Sequence, residues 1–120
     1  MNHRCLVLAV AIILLGPFPT TGAFAESGVA SVYSAESGSR TASGQPLNAR
    51  ALTAAHRSLP FGTKVRVTNR ANGKSAVVRI NDRGPFFGGR IIDLMPATAK
   101  ALGFSGLTPV TLVVVEAAER

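Results

Sequence analysis

Between residues 63 and 80 the chain reads as two alternating runs joined through Ala71-Asn72-Gly73, and no other feature restricts the fold as much. Asn-Gly tolerates the positive φ angles of a tight hairpin turn. In the first run Val65 and Val67 share one face, and Lys64, Arg66 and Thr68 share the other. Beyond the turn Ala76, Val78 and Ile80 oppose Val77 and Arg79. One face is therefore core and the other wet, as in an antiparallel sheet. Short β-branched runs bounded by Gly, Asn or Pro predict strands over residues 29–33, 63–68, 75–80, 90–93 and 110–115. Such a series predicts a barrel or a sandwich. One helix is predicted over residues 96–102, with Pro96 at its first position and Gly103 at its left-handed stop. Met95 falls at the N-cap and cannot accept the free amides, at a cost of about 1 kcal/mol relative to Ser.

The start of the chain carries an export signal. Asn2, His3 and Arg4 precede an apolar run from Cys5 to Leu15, too short to span a bilayer. Gly16, Pro17 and Pro19 then break it, and Ala23-Phe24-Ala25 places small residues where a signal peptidase reads. Cleavage between Ala25 and Glu26 is expected, leaving residues 26–120 as one small domain, released to the periplasm or the exterior. Cys5 lies before the apolar run instead of closing it, so no lipid anchor is expected there.

The chain has 13 basic and six acidic residues, and the leader removes only Arg4. A mature net charge of +6 follows, and it favours an anionic partner. The basic residues are scattered and few aromatics are available to stack on bases, so the partner is not expected to be nucleic acid. Cys5 is the only cysteine, and His56 is the only histidine besides His3. The mature domain is thus expected to hold no disulfide, no thiol nucleophile and no metal.

Six carboxylates make the search for an acid short. Glu26, Glu116 and Glu119 lie near the termini and read as solvated, leaving Glu36, Asp82 and Asp93. Asp82 stands in a turn after a strand, either as a cap or ion pair with Arg79, Arg83 or Arg90, or as a base or charge stabiliser. Asp93 follows Ile91-Ile92 before the helix. Burial there would raise its pKa towards a general acid's, unless it only orients the helix entrance. His56 is a satisfied structural histidine or a site residue. Residues 34–50, rich in Gly, Ser, Thr, Pro and Asn, read as a long functional loop over the barrel mouth. There is no G-x-S-x-G and no glycine-rich phosphate loop opening a helix.

Several segments together resemble one family: Gly28-Val29-Ala30-Ser31-Val32-Tyr33, Thr41-Ala42-Ser43-Gly44-Gln45, Leu52-Thr53-Ala54-Ala55-His56-Arg57-Ser58-Leu59-Pro60-Phe61-Gly62-Thr63, Val78-Arg79-Ile80-Asn81-Asp82-Arg83-Gly84-Pro85-Phe86 and Ile91-Ile92-Asp93-Leu94. Over nearly all of residues 28–116 the chain is similar to the rare lipoprotein A family of septal lytic transglycosylases. The resemblance implies an all-β fold, a six-stranded double-psi β-barrel with one short helix, shared with expansins, barwin-like proteins and some cellulases. It also implies cofactor-free cleavage of peptidoglycan between N-acetylmuramic acid and N-acetylglucosamine, leaving 1,6-anhydro ends.

By the same resemblance Asp82, Asp93 and His56 are the catalytic set. Gln45, Tyr33, Thr41, Asn81, Arg83 and Phe86 are the expected substrate contacts. Gln45 falls where the family has Glu, and an amide cannot donate a proton at neutral pH. The expected partner is the peptidoglycan glycan strand, met by a monomer. Neither a lipid-bearing Cys after the leader nor a C-terminal repeat domain is matched, so septal targeting is not implied. The competing expectation is a noncatalytic, expansin-like module that binds or loosens wall glycan.

Overall fold

The computed structural model of the chain describes residues 24–34 and 40–118. The leader up to residue 23, Glu36 and Glu119 lie outside the described residues. In chain order the elements are β1 (Ala25–Val32), β2 (Thr53–Ala55), β3 (Lys64–Asn69), β4 (Ser75–Asp82), β5 (Arg90–Leu94), the helix α1 (Pro96–Ala101) and β6 (Thr108–Glu116). The six strands close into a barrel in the order β1-β5-β2-β4-β3-β6. Two neighbouring pairs, β1 with β5 and β2 with β4, run parallel, and the other contacts are antiparallel.

The hairpin forms as its alternation dictates. Val65 lies opposite Val78 and Val67 opposite Ala76, and Val65, Val67, Val78 and Ile80 are buried together with Leu94 and Leu112. Closing a barrel leaves no free sheet edge and gathers every inward side chain into one core. Gly73 takes φ +81° in the turn and Gly103 takes φ +76° after the helix, as their sequence contexts require.

Three strands differ from the sequence expectation, and one of them is β4, which runs two residues further than expected and so places Asp82 at the end of a strand instead of in the turn after it. β2 was not foreseen, because Thr53-Ala54-Ala55 lacks the β-branched and aromatic residues that mark strands. All three of its residues are nonetheless buried. Ala54 lies beside Leu94 of β5 and Ile80 of β4, where small side chains let β2 pass between larger neighbours. β1 starts four residues earlier than expected because Ala25, Glu26 and Ser27 pair with Val113, Leu112 and Thr111 of β6. The Phe24 carbonyl also accepts the Val114 amide at 3.2 Å, so Phe24 and Ala25, the last two residues of the expected leader, contact the barrel.

Met95 caps α1 without a side-chain bond. One amide of the first turn, that of Ala97, is instead satisfied by the Ala49 carbonyl at 3.1 Å. At the other end buried Asn69 donates Nδ2 to the Leu102 carbonyl at 2.8 Å. Its Oδ1 accepts the Ala71 amide at 2.9 Å and the Thr108 hydroxyl at 2.8 Å. A single polar side chain thereby joins the hairpin turn, the helix end and β6.

Candidate active site

Four adjacent strands bring one row of residues together. Ser31 of β1 pairs with Asp93 of β5, Asp93 pairs with Ala55 of β2, and Ala55 pairs with Asp82 of β4. The last match depends on a register shift: Ala54 faces Ile80 but Ala55 faces Asp82, leaving Asn81 as an extra residue. Such a bulge re-aims the side chains that follow it. Two strand spacings put the Asp82 and Asp93 Cα atoms roughly 10 Å apart, with a methyl group as the only side chain between them.

The two carboxyl groups have different surroundings. Asp82 Oδ1 accepts the amides of Ala42 at 2.7 Å and Arg83 at 2.9 Å, and its Oδ2 accepts the Tyr33 hydroxyl at 2.5 Å. Among the described residues no Arg makes an ion pair with it, so the cation partners weighed from sequence are replaced by neutral donors. Among the described residues Asp93 accepts one bond, from the Ser31 hydroxyl at 3.0 Å. Burial raises its pKa and the nearby Asp82 charge adds to the rise, against the opposing effects of Ser31 and Arg90. The Tyr33 phenol is pushed up by burial and then by Asp82, which keeps it a donor.

The loop after β1 docks onto this row. Arg40 bridges to Pro46, and the Thr41 amide donates to the Gln45 carbonyl at 2.9 Å. Buried Thr41 also bonds through its hydroxyl to Ser43 and to the Gln45 carbonyl. Besides the Ala42 bond to Asp82, the Ser43 amide donates to the Asn81 carbonyl at 3.2 Å. Gln45 Oε1 accepts Asn81 Nδ2 at 3.0 Å and Arg79 Nη2 at 3.4 Å. Asn81 Oδ1 is buried without a donor among the described residues.

His56 is nearby but turned to other work. Its Nδ1 accepts the Ser58 and Leu59 amides, both at 3.1 Å, which assigns the proton to Nε2, and Nε2 donates to Glu26 at 2.9 Å. Among the described residues its ring bonds neither aspartate. Its backbone amide instead donates to the Asp82 carbonyl at 3.1 Å. Glu26, read from sequence as solvated, is thus the partner of a buried imidazole. Glu116 fits that reading better, since among the described residues its one ion pair is with exposed Lys64, at 3.3 Å.

Arg83 clamps the same turn. Its Nη1 donates to the His56 and Leu59 carbonyls at 3.1 and 2.9 Å, and its guanidinium lies 4.1 Å from the Phe61 ring centroid. Phe86 is 76% exposed, free to stack on a sugar.

The structure thus brings Asp82, Asp93 and Tyr33 together, with Thr41, Asn81 and Arg83 shaping the loops around them. It leaves Gln45 and Phe86 at the surface. Ser31 and the Ala42 amide were missed. Ser31 was within reach of sequence reasoning, because period-2 alternation puts it on the face of Tyr33. The Ala42 contact is a backbone bond with no residue signature. Among the described residues no three His, Cys, Asp or Glu side chains come together as a metal site would need, and no helix is long and apolar enough to cross a membrane.

Two carboxyls with dissimilar surroundings thus share one row on a closed barrel, and comparison with known proteins gives the lineage. A family model described as a lytic transglycolase matches residues 25–112. The chain belongs to this family of double-psi β-barrels. The probable endolytic peptidoglycan transglycosylase RlpA of Synechocystis is 56% identical over 94 residues, 76% of this chain and 29% of the relative. The endolytic peptidoglycan transglycosylase RlpA of Pseudomonas aeruginosa is 44% identical over 110 residues, 88% of this chain and 32% of the relative. The chain therefore spans about a third of the length of these curated relatives. In fold it matches the crystal structure of an expansin of Clavibacter michiganensis, with TM-score 0.61 and 23% identity over 81% of this chain and 53% of that one.

Proposed function

We propose that this barrel is the catalytic domain of a peptidoglycan lytic transglycosylase that cleaves between N-acetylmuramic acid and N-acetylglucosamine. The observation that carries the reading is the row Ser31, Asp93, Ala55, Asp82, in which burial raises one carboxyl and three donors hold the other. A raised carboxyl keeps its proton to higher pH and suits a general acid. Asp93 protonates the bridging oxygen, and the bond from that oxygen to the muramyl C1 breaks. Asp82, fixed by Tyr33, Ala42 and Arg83, stabilises the positive charge left at C1. The muramyl C6 hydroxyl then closes on C1 and returns its proton to Asp93, giving the 1,6-anhydro ring. No water is consumed and no cofactor is required.

His56 acts as a positioning residue, holding the turn that carries the Arg83 clamp and meeting Asp82 through the backbone. Phe86 and Gln45 contact the sugars, while Tyr33, Thr41, Asn81 and Arg83 hold the walls. The protein works on glycan strands in the periplasm or outside the cell, as a monomer and without nucleic acid. Its leader is cut between Ala25 and Glu26, which leaves the pairing of Glu26 with Leu112 in place.

A second reading, a noncatalytic module of expansin type, draws on Gln45, an amide where the family pattern has an acid. Incubation with purified sacculi separates the two: anhydro-muropeptides support the enzyme, and retention on sacculi without soluble product supports the module.

A further inference from the structure

Beside the catalytic row lies a cleft of about 250 Å³, lined among others by Gln45, Asn48, Thr53, Arg79 and Asn81. Thr53 pairs with Arg79 across β2 and β4, and Asn81 follows Arg79 by two residues, so all three line the outer face of the sheet. Among the described residues Arg79 makes no ion pair. Among the described residues its guanidinium makes one hydrogen bond, a long one of 3.4 Å to Gln45 Oε1, an atom that Asn81 Nδ2 already holds at 3.0 Å. Across the β3–β4 ladder Arg79 lies opposite Lys64, and there Glu116 pairs with the lysine. Asn81 adds a buried acceptor, Oδ1, that lacks a donor. A partly buried cation with spare donors and an unfilled acceptor two residues away together call for a ligand with complementary groups.

We infer that Arg79, with Gln45 and Asn81, forms a subsite for a carboxylate carried by the glycan strand beside an N–H donor. This rests on the glycan reading proposed above. The guanidinium takes the carboxylate, and Asn81 Oδ1 accepts the adjacent N–H. Muramyl rings carry a lactyl carboxyl next to an acetamido group when peptide-free, and stem peptides carry carboxylates of their own. The neutral amide of Gln45 is what leaves the guanidinium uncompensated.

The test is calorimetric titration of the intact protein in an Asp93→Asn background, where turnover is suppressed. The probes are a peptide-free muramyl tetrasaccharide, its methyl ester, and the peptide-bearing counterpart. The free acid or the peptide-bearing form is expected to bind about tenfold more tightly than the ester, and which one does so identifies the source of the carboxylate. Arg79→Gln and Gln45→Glu should each bring the ratio close to one. Arg66→Gln, which removes an equal charge from an exposed position of β3, should leave it unchanged. Equal binding of acids and ester, or a preference that survives Arg79→Gln, would overturn the subsite while leaving glycan binding intact. Binding of none of the three would overturn the glycan reading and the subsite with it.

Discussion

Replacing Asp82 by Asn removes a charge and very little else. The amide oxygen can occupy the place of Oδ1 and accept the Ala42 and Arg83 amides, now at 2.7 and 2.9 Å. The amide nitrogen then stands where Oδ2 was and donates to the Tyr33 hydroxyl, which turns from donor to acceptor. Each bond weakens from the charge-assisted to the neutral range. Relief from confining a charge offsets part of that, so the net loss of stability should stay below about 2 kcal/mol. Asp82→Ala forfeits all three bonds, strands two backbone donors, and should cost about 3 kcal/mol or more. Both substitutions remove the charge that steadies the cation at C1, for which a hundredfold loss in kcat, about 2.7 kcal/mol of barrier, is expected. Anhydro-product formation from sacculi and denaturant unfolding, read side by side, check both halves. Activity within tenfold of the parent in Asp82→Asn would refute the charge role. An Asn variant as unstable as the Ala variant would refute the bonding scheme.

Carboxyl NMR should find the Asp93 pKa above the ordinary aspartate range, moved down by Asp82→Asn, which removes a like charge, and up by Ser31→Ala, which removes a stabilising donor. Activity should accordingly fall as pH rises through the Asp93 pKa. Because the folded pKa is raised, the associated stability is full below the ordinary aspartate value and is lost as pH climbs through the raised one. Asp93→Asn should therefore stabilise the fold at neutral pH and not in acid, as unfolding curves at the two pH values would show. Gln45→Glu should change kcat by less than tenfold, since two aspartates carry the chemistry; a gain of orders of magnitude would mark the natural chain as a binder. Asn69→Ala should cost about 2–4 kcal/mol, measured by denaturant unfolding, because the buried Leu102 carbonyl and Thr108 hydroxyl and the half-buried Ala71 amide lose their bond.

What the sequence disclosed follows the range of the forces involved. The hairpin of β3 and β4 and the helix rest on local pattern, and they formed where alternation, Asn-Gly, Pro96 and Gly103 placed them. The burial of Asp93 was legible because Ile91 and Ile92 precede it. β2 was not, since its reason for being a strand is the Ile80 and Leu94 packed beside it, far away in sequence. The same holds for Glu26. A carboxylate near a chain end reads as solvated until β1 brings it against His56. Two of the three donors on Asp82 came from far away in sequence, the Ala42 amide within a polar loop and the hydroxyl of Tyr33 just beyond β1. No spacing rule contains such contacts, although the segments that carry the family resemblance include the residues that make them.

Bond cleavage on this barrel should end in ring closure and not in hydrolysis, and digestion of sacculi in heavy-oxygen water distinguishes the two. Mass spectrometry of the released muropeptides should find 1,6-anhydro ends, each one water lighter than the hydrolytic product and free of label. Reducing ends carrying the heavy oxygen would show hydrolysis and refute ring closure.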